Sequence, residues 1–313
     1  MRETRPEIAA VIPCLNEAEN AEAIAQAAIA VLERAGVSFE IVFIDNGSSD
    51  GTPDIVKRLC AADPRIRLIV NTRNFGQMRS PTHGIYQATA TGAVIGLCAD
   101  FQDPPELIGE FITRWRAGAM IVLGVRRSEK ASFAITVIRE LGYAFFQRFA
   151  DYKVIPGATG FGLYDRRVVD ALRRWRDPEP FFRGMLVETG YALETIPYDR
   201  PPRAGGVSKN NVLTLFGFAM SSLAGSSKSL LRAPLPTALL TGALAAATLL
   251  VAACRAVLGL AASGAFTWGM AEMAFSVICL FLGVMGEQIR FISEISRNTP
   301  LVIEKERVNF PEA

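Results

Sequence analysis

The chain has 313 residues, a formal net charge of +2 and 50% hydrophobic residues. This near-neutral balance lacks the basic footprint of a nucleic-acid-binding protein, and a single histidine, His83, excludes a His-rich metal site. The five cysteines (Cys14, Cys60, Cys98, Cys254 and Cys279) form no C-x-x-C pair, which excludes a zinc pattern or disulfide framework and suits a reducing compartment.

The N-terminus, MRETRPEIAA, has no apolar h-region before the first strand, so no cleavable signal peptide is expected. Ile8 to Pro13 is a short apolar run ended by proline and reads as a buried strand. Asn16-Glu17 follows, then an Ala-rich helix that stops near Gly36. Glu40 to Ile44 is a second strand, leading into the polar turn Asp45-Asn46-Gly47-Ser48-Ser49-Asp50-Gly51. Thr52 is placed to cap a helix beginning at Pro53. Ile66 to Val70 is a third strand, followed by Asn71-Thr72-Arg73-Asn74-Phe75-Gly76 and a helix from about Gln77 to Ala90. Ala93 to Leu97 is a fourth strand that emerges at Asp100, Gln102 and Asp103 before Pro104-Pro105 and a helix from about Glu106. Ala119 to Val125 is a fifth, ending at Arg126-Arg127.

Strands alternating with helices at this spacing predict a doubly wound, mostly parallel α/β sheet. Polar residues stand at each strand's carboxyl end, which is where open α/β sheets bind ligands. Neither G-x-G-x-x-G after the first strand nor a G-x-x-x-x-G-K-S loop is present, which disfavours a classical dinucleotide fold or P-loop. The turn at Asp100 has two readings. It is a site for a divalent cation on a diphosphate, or Asp103 before Pro-Pro simply starts a helix.

Beyond the fifth strand, 132–150 is strongly apolar with sparse charges, a core helix or one lying at a membrane surface. Ile155 to Asp165 is a Gly-rich aromatic loop or a tight turn into a strand, with Asp165 beginning the helix that covers Val168 to Trp175. Thr195 to Pro202 is extended, and Arg203 to Lys209 is a flexible basic loop. Ala233 to Cys254 carries no charge, and as a helix it would be ~33 Å long against a ~30 Å hydrocarbon core. Ala265 to Gly286 is similar but interrupted by Glu272. Basic residues flank this pair outside and only Arg255 lies between, so the positive-inside rule puts both ends in the cytoplasm. The alternative is a buried helical hairpin. The expected organisation is a cytoplasmic domain over 1–210, an interfacial amphipathic helix over 211–232, a two-helix transmembrane hairpin over 233–289 and a cytoplasmic tail over 290–313. The hairpin's Gly/Ala faces favour self-association into a homo-oligomer.

The ordered motifs IPCLNEAEN, VFIDNGSSDGT, TRNFG, CADFQDPPE, a Gly-rich aromatic loop and RAGGVSK, then two apolar spans, resemble the family-2 inverting glycosyltransferases. Within that family the chain is similar to the polyprenyl-phosphate branch, over nearly its whole length. The resemblance implies a GT-A-like fold, a nucleotide-sugar donor, a polyprenyl phosphate acceptor at the membrane, and Mg2+ or Mn2+. It implies Pro13, Asn16 and Glu17 around the nucleoside, Asp45 on the base, and Asn74 in the donor site. Asp100 and Gln102 would hold the metal with the diphosphate, and Asp100, Asp103, Arg126 and Arg127 would form the catalytic set. Arg200, Arg203, Ser208 and Lys209 would take the acceptor phosphate.

Three positions depart from the family pattern. Cys98 stands where relatives commonly have the first Asp of D-A-D, Gln77 where they often have Lys, and Gly160 where close relatives carry an Asp discussed as a base. A phosphate acceptor needs no base, because its second pKa of ~6 leaves it nucleophilic at neutral pH, whereas a hydroxyl acceptor would. The readings left open are transfer to a lipid phosphate, elongation of a saccharide, and a non-catalytic scaffold.

Overall fold

A computed structural model describes residues 5–127, 155–175, 177, 180–201, 264–296 and 299–310. Eight strands form one sheet: β1 (Ile8–Cys14), β2 (Phe39–Asp45), β3 (Ile66–Asn71), β4 (Ala93–Gly96), β5 (Ile121–Arg126), β6 (Ala158–Asp165), β7 (Leu193–Tyr198) and β8 (Glu304–Val308). Their order is β7-β5-β6-β4-β1-β2-β3-β8. Strands β1 to β5 and β7 run parallel to one another. β6 is inserted antiparallel between β4 and β5, and β8 lies antiparallel on β3 at one edge.

The helices are α1 (Ala21–Arg34), α2 (Thr52–Ala62), α3 (Gly76–Gln87), α4 (Ile108–Arg116), α5 (Arg166–Arg173), α6 (Phe182–Glu188) and α7 (Gly264–Ser296). The strands' continuous apolar runs are explained by burial on both faces. Ile8, Ala10 and Ile12 pack with Ile24 and Leu32 of α1, Val56 of α2 and Phe111 of α4. The alternate residues Ala9 and Val11 pack with Ile85 of α3, Leu172 of α5 and Met185 of α6. In α1 the buried residues Ala21, Ile24, Ala25, Ala28, Val31 and Leu32 recur at helical spacing, and Gly36 ends the segment at φ +64°.

The mostly parallel sheet expected from the sequence is present, with two antiparallel additions. The Gly-rich stretch forms β6, and its glycines let it wedge between two strands. A Cβ at Gly162 would lie 2.4 Å from the Val122 carbonyl oxygen. Helix α4 starts at Ile108, after a single 3-10 turn over Pro105–Leu107, rather than at Glu106.

The chain divides into two compact units, the sheet belonging to the first and α7 to the second. The second expected span falls within α7, and the first lies outside the described residues, as does the expected interfacial helix. Among the described residues no helix is long and apolar enough to cross a membrane.

The C-terminal segment is stitched to the sheet unit beyond its strand pairing. Arg79 donates to the carbonyls of Leu301 and Pro300, Lys57 pairs with Glu306 at 2.7 Å, and Asn309 Nδ2 donates to the Cys60 and Ile66 carbonyls. His83 meets the Glu304 carboxylate, which also pairs with Arg307. Burial lowers the His83 pKa despite that carboxylate, with Arg307 and Arg173 adding to the effect. Burial pushes Glu304 up, but Arg307 and His83 outweigh it and hold the carboxyl below its usual range.

Both signs act against the fold in acid. A histidine kept neutral loses stability to the unfolded chain as pH drops below its unfolded value of ~6.5, and a depressed carboxyl loses it as pH falls from ~4.3 through the lower folded value. Asp63, held low first by Arg65, adds to the second phase. The urea midpoint is therefore expected to be level above about pH 7 and to fall in two stages between pH 6.5 and 3. His83→Gln should remove the upper stage. Urea titrations across pH 3–8 check this.

Candidate active site

Six parallel strands bring their carboxyl ends to one sheet edge, and the polar residues expected there gather in two halves. The first half lies at β1, β2 and β3. Asn16 adopts φ +57°, a left-handed conformation that Asn tolerates. Its Oδ1 accepts from the Ser49 N–H at 2.8 Å and its own N–H donates to Ser48 Oγ at 2.8 Å. The N–H of Glu17 donates to Thr52 Oγ1 at 2.9 Å, and that of Ala18 to Asp50 Oδ2 at 3.2 Å. The turn after β1 is thus latched to the turn after β2. Glu17 is buried, with Oε2 accepting from Asn20 Nδ2 at 2.8 Å, and Pro13 is half-buried at the end of β1.

Asp45 is fully buried, and its Oδ2 accepts from the N–H groups of Gly47 and Ser48 at 3.1 and 3.0 Å. Thr52 is the first residue of α2 and not its cap, which falls on Gly51 without a side-chain hydrogen bond, and Asp50 Oδ1 accepts from both the N–H and the hydroxyl of Thr52. Partial burial pushes Asp50 up, but hydrogen bonds from Thr52 and Ala18 prevail and lower its pKa.

Asn74 builds the neighbouring loop. Its Oδ1 accepts from Asn46 Nδ2 at 2.9 Å and from the Gly76 N–H at 2.8 Å. Asn46 Oδ1 in turn accepts from the Phe75 N–H at 2.9 Å and from Asn71 Nδ2 at 3.3 Å. Sequence reasoning singled out Asn74 and missed Asn46 and Asn71. The available signal was an amide at each of two adjacent strand ends, directly after Asp45 and at the close of β3.

Gly47 holds φ +78°, and a Cβ there would lie 2.7 Å from the Arg73 carbonyl carbon. The contact is with backbone, so the two loops would have to part. Gly47→Ala is expected to weaken donor binding about tenfold or more and to lower stability by about 1–3 kcal/mol. Donor KM and thermal denaturation of the variant check this.

The second half lies at β4, β5 and β7. Asp100 Oδ1 accepts from the Gln102 N–H at 3.2 Å. Between them Phe101 sits at φ +57°, a conformation costing a bulky residue on the order of 1–3 kcal/mol. Gln102 Oε1 accepts from Arg200 Nη2. Asp103 is buried, and its Oδ1 accepts from the Tyr198 hydroxyl at 2.7 Å. It does not cap a helix, since the 3-10 turn begins after Pro104 without a side-chain cap. Burial, and then Asp103, push the Tyr198 phenol well above its usual range, so it stays a donor.

Asp103 Oδ2, Arg126 Nε and Arg200 Nε are buried and make no hydrogen bond. Arg127 is different: it is exposed and pairs with Asp199 at 3.2 Å. Cys98 is exposed yet densely surrounded. That crowding, then Asp103 and Asp100, push its thiol well above the ordinary range, so it does not replace the carboxylate of the D-A-D pattern as a hard anionic ligand. Gly160, at φ +98°, contributes its carbonyl to the Tyr164 hydroxyl. Arg203, Ser208 and Lys209 lie outside the described residues.

Among the described residues no three His, Cys, Asp or Glu side chains converge to hold a metal ion. The donor set that fits a divalent cation is smaller: the Asp100 carboxylate and the Gln102 amide oxygen. Both are hard oxygens suited to Mg2+ or Mn2+ when further oxygens come from a phosphate ligand or water.

Residues 9–173, more than half of the chain, match the model of "Glycosyl transferase family 2". An uncharacterized glycosyltransferase of Synechocystis sp., sll0501, is 30% identical over 95% of this chain and 94% of its own. The bactoprenol glucosyl transferase of Shigella phage SfV is 30% identical over 72% of this chain and 73% of its own. Among solved structures, the mannosyltransferase PcManGT from Pyrobaculum calidifontis has 19% identity and a TM-score of 0.47, over 95% of this chain and 88% of that one. The two latched halves at the strand ends therefore lie on a chain that belongs to glycosyltransferase family 2.

Proposed function

We propose that the protein transfers a single sugar, with inversion, from a nucleotide-sugar to a polyprenyl phosphate at the cytoplasmic face of a membrane. The observation that carries this reading is the set of buried, unpartnered guanidinium nitrogens of Arg126 and Arg200 beside Asp100, Gln102 and Asp103. It stands in a chain whose relatives include bactoprenol glucosyl transferases.

The nucleoside sits over the β1–β3 half, with Asp45 toward the base and Glu17 toward the ribose. The diphosphate lies across to Asp100 and Gln102. A bound Mg2+ or Mn2+, held by those two residues, would offset the charge that grows on the leaving diphosphate. Arg126 and Arg200 present planar donors that match phosphate oxygens. The acceptor's phosphate oxygen attacks the anomeric carbon as the bond to the diphosphate breaks. No proton has to leave the nucleophile, which agrees with glycine rather than a carboxylate at position 160.

Arg203, Ser208 and Lys209 complete the acceptor side in this reading. The uncharged run Ala233–Cys254 seats the protein in the bilayer where the lipid is presented. A donor screen with undecaprenyl phosphate and Mg2+ or Mn2+, reading lipid-linked product, tests the proposal. A labelled lipid from at least one donor is expected, and transfer only to added saccharides would count against it.

A further inference from the structure

Asp103 has one oxygen accounted for and one not. It is 2% exposed, Oδ1 is held by Tyr198, and Oδ2 is buried with no hydrogen-bond partner. Native interiors rarely leave such an atom alone, and a conspicuous exception points to a missing partner. That partner is a hydrogen-bond donor or a cation, because a carboxylate oxygen accepts. The Cys98 thiol also meets this carboxylate, but S–H is a weak donor and leaves room for a stronger partner. A phosphate group is a second acceptor and an anion, so it is repelled from this position. Asp103 follows Asp100 and Gln102 in the same turn, so what lies next to the diphosphate lies next to Asp103. In a nucleotide-sugar the neutral hydroxyls flanking the diphosphate are those of the ribose, which the donor reading places over the β1–β3 half, and those of the transferred sugar, which fall to the Asp103 side. Tyr198 fixes the carboxylate from β7 and leaves the second oxygen to the ligand.

We infer that Asp103, oriented by Tyr198, accepts a hydrogen bond from one ring hydroxyl of the donor sugar and makes that hydroxyl a condition of transfer. The inference rests on the donor reading proposed above and deepens it: the substrate is a sugar with a free hydroxyl at that position. Tyr198 acts as a positioning residue. A site built to bind a hydroxyl rejects the analogue lacking it strongly, because its own polar atom is then left unpaired.

The test uses UDP-glucose and its 2-, 3-, 4- and 6-deoxy forms with undecaprenyl phosphate and Mn2+. With the wild-type protein, one deoxy donor is expected to lose about 100-fold or more in kcat/KM while the others lose far less. In Asp103→Ala that same analogue and the parent donor should differ by less than about tenfold. Tyr198→Phe, which keeps the ring and frees the carboxylate, should shrink the penalty by about tenfold. UDP affinity by calorimetry should stay within about threefold in both variants. The wild-type series needs no variant to fold, and a flat series across all four deoxy donors overturns the inference. So does a penalty that survives in Asp103→Ala, or a joint loss of UDP and Mn2+ affinity, which would place Asp103 on the metal and diphosphate instead. Wild-type protein that transfers from none of the nucleotide-sugars in the donor screen would remove the donor reading and this inference together. Transfer with a flat series removes only the inference.

Discussion

Asp100→Ala is expected to lower kcat/KM for sugar transfer by about 10³-fold or more while the protein remains folded. The carboxylate stands at the mouth of β4, where in the proposed reading it would hold the cation that offsets charge on the leaving diphosphate, and losing preorganised stabilisation of transition-state charge costs ~10²–10³-fold in comparable sites. Here the substitution also releases the turn, since the Gln102 N–H loses its acceptor. Cys98, in place of a second carboxylate, supplies no hard anion to take over. Asp100 is only half-buried, so stability should change by about 1 kcal/mol or less. Asp100→Asn keeps the shape and should fall between the two. Steady-state kinetics beside thermal melts separate loss of chemistry from loss of fold.

Glu40→Ala should do the reverse, destabilising the protein by about 3–5 kcal/mol without touching the site. Glu40 lies on β2 at 1% exposure, near the sheet edge opposite the carboxyl ends. One oxygen accepts from the N–H groups of Thr89 and Ala90, and the other pairs with Arg67 at 2.7 Å and accepts from Thr89 Oγ1. Truncation leaves the largely covered Arg67 guanidinium without its carboxylate and two N–H groups without their acceptor, and such losses cost more than the intact pair contributes. Urea unfolding gives the magnitude. Unchanged donor KM in the surviving folded fraction would show that the effect is one of stability.

The parallel part of the sheet was legible because each strand is a short apolar run with a polar stop, and the register of those stops put Asp45, Asn74 and Asp100 at one edge. Two strands were not. The β6 segment hides behind its glycines, which signal close strand approach only once the neighbours are known. The β8 segment, EKERV, is charged because it covers a sheet edge, where apolar periodicity fades. At the site, residue types pointed to Asp100 and Gln102, whereas the partner that Asp103 takes in place of a helix cap is Tyr198, 95 positions away. Likewise Arg126 and Arg127 look alike as neighbours. Burial distinguishes them, since Arg126 keeps an unpaired nitrogen inside while Arg127 reaches solvent and Asp199. Long-range partners of this kind leave no local trace in the chain.

The acceptor is the centre of the account, and stoichiometry measures it most directly. Purified protein, a labelled nucleotide-sugar, undecaprenyl phosphate and Mn2+ should release one nucleoside diphosphate for each lipid phosphate converted to lipid-linked sugar, and Asp100→Ala should show neither product. Nucleoside diphosphate released with the lipid phosphate unconsumed, or sugar carried only to a saccharide hydroxyl, would contradict it.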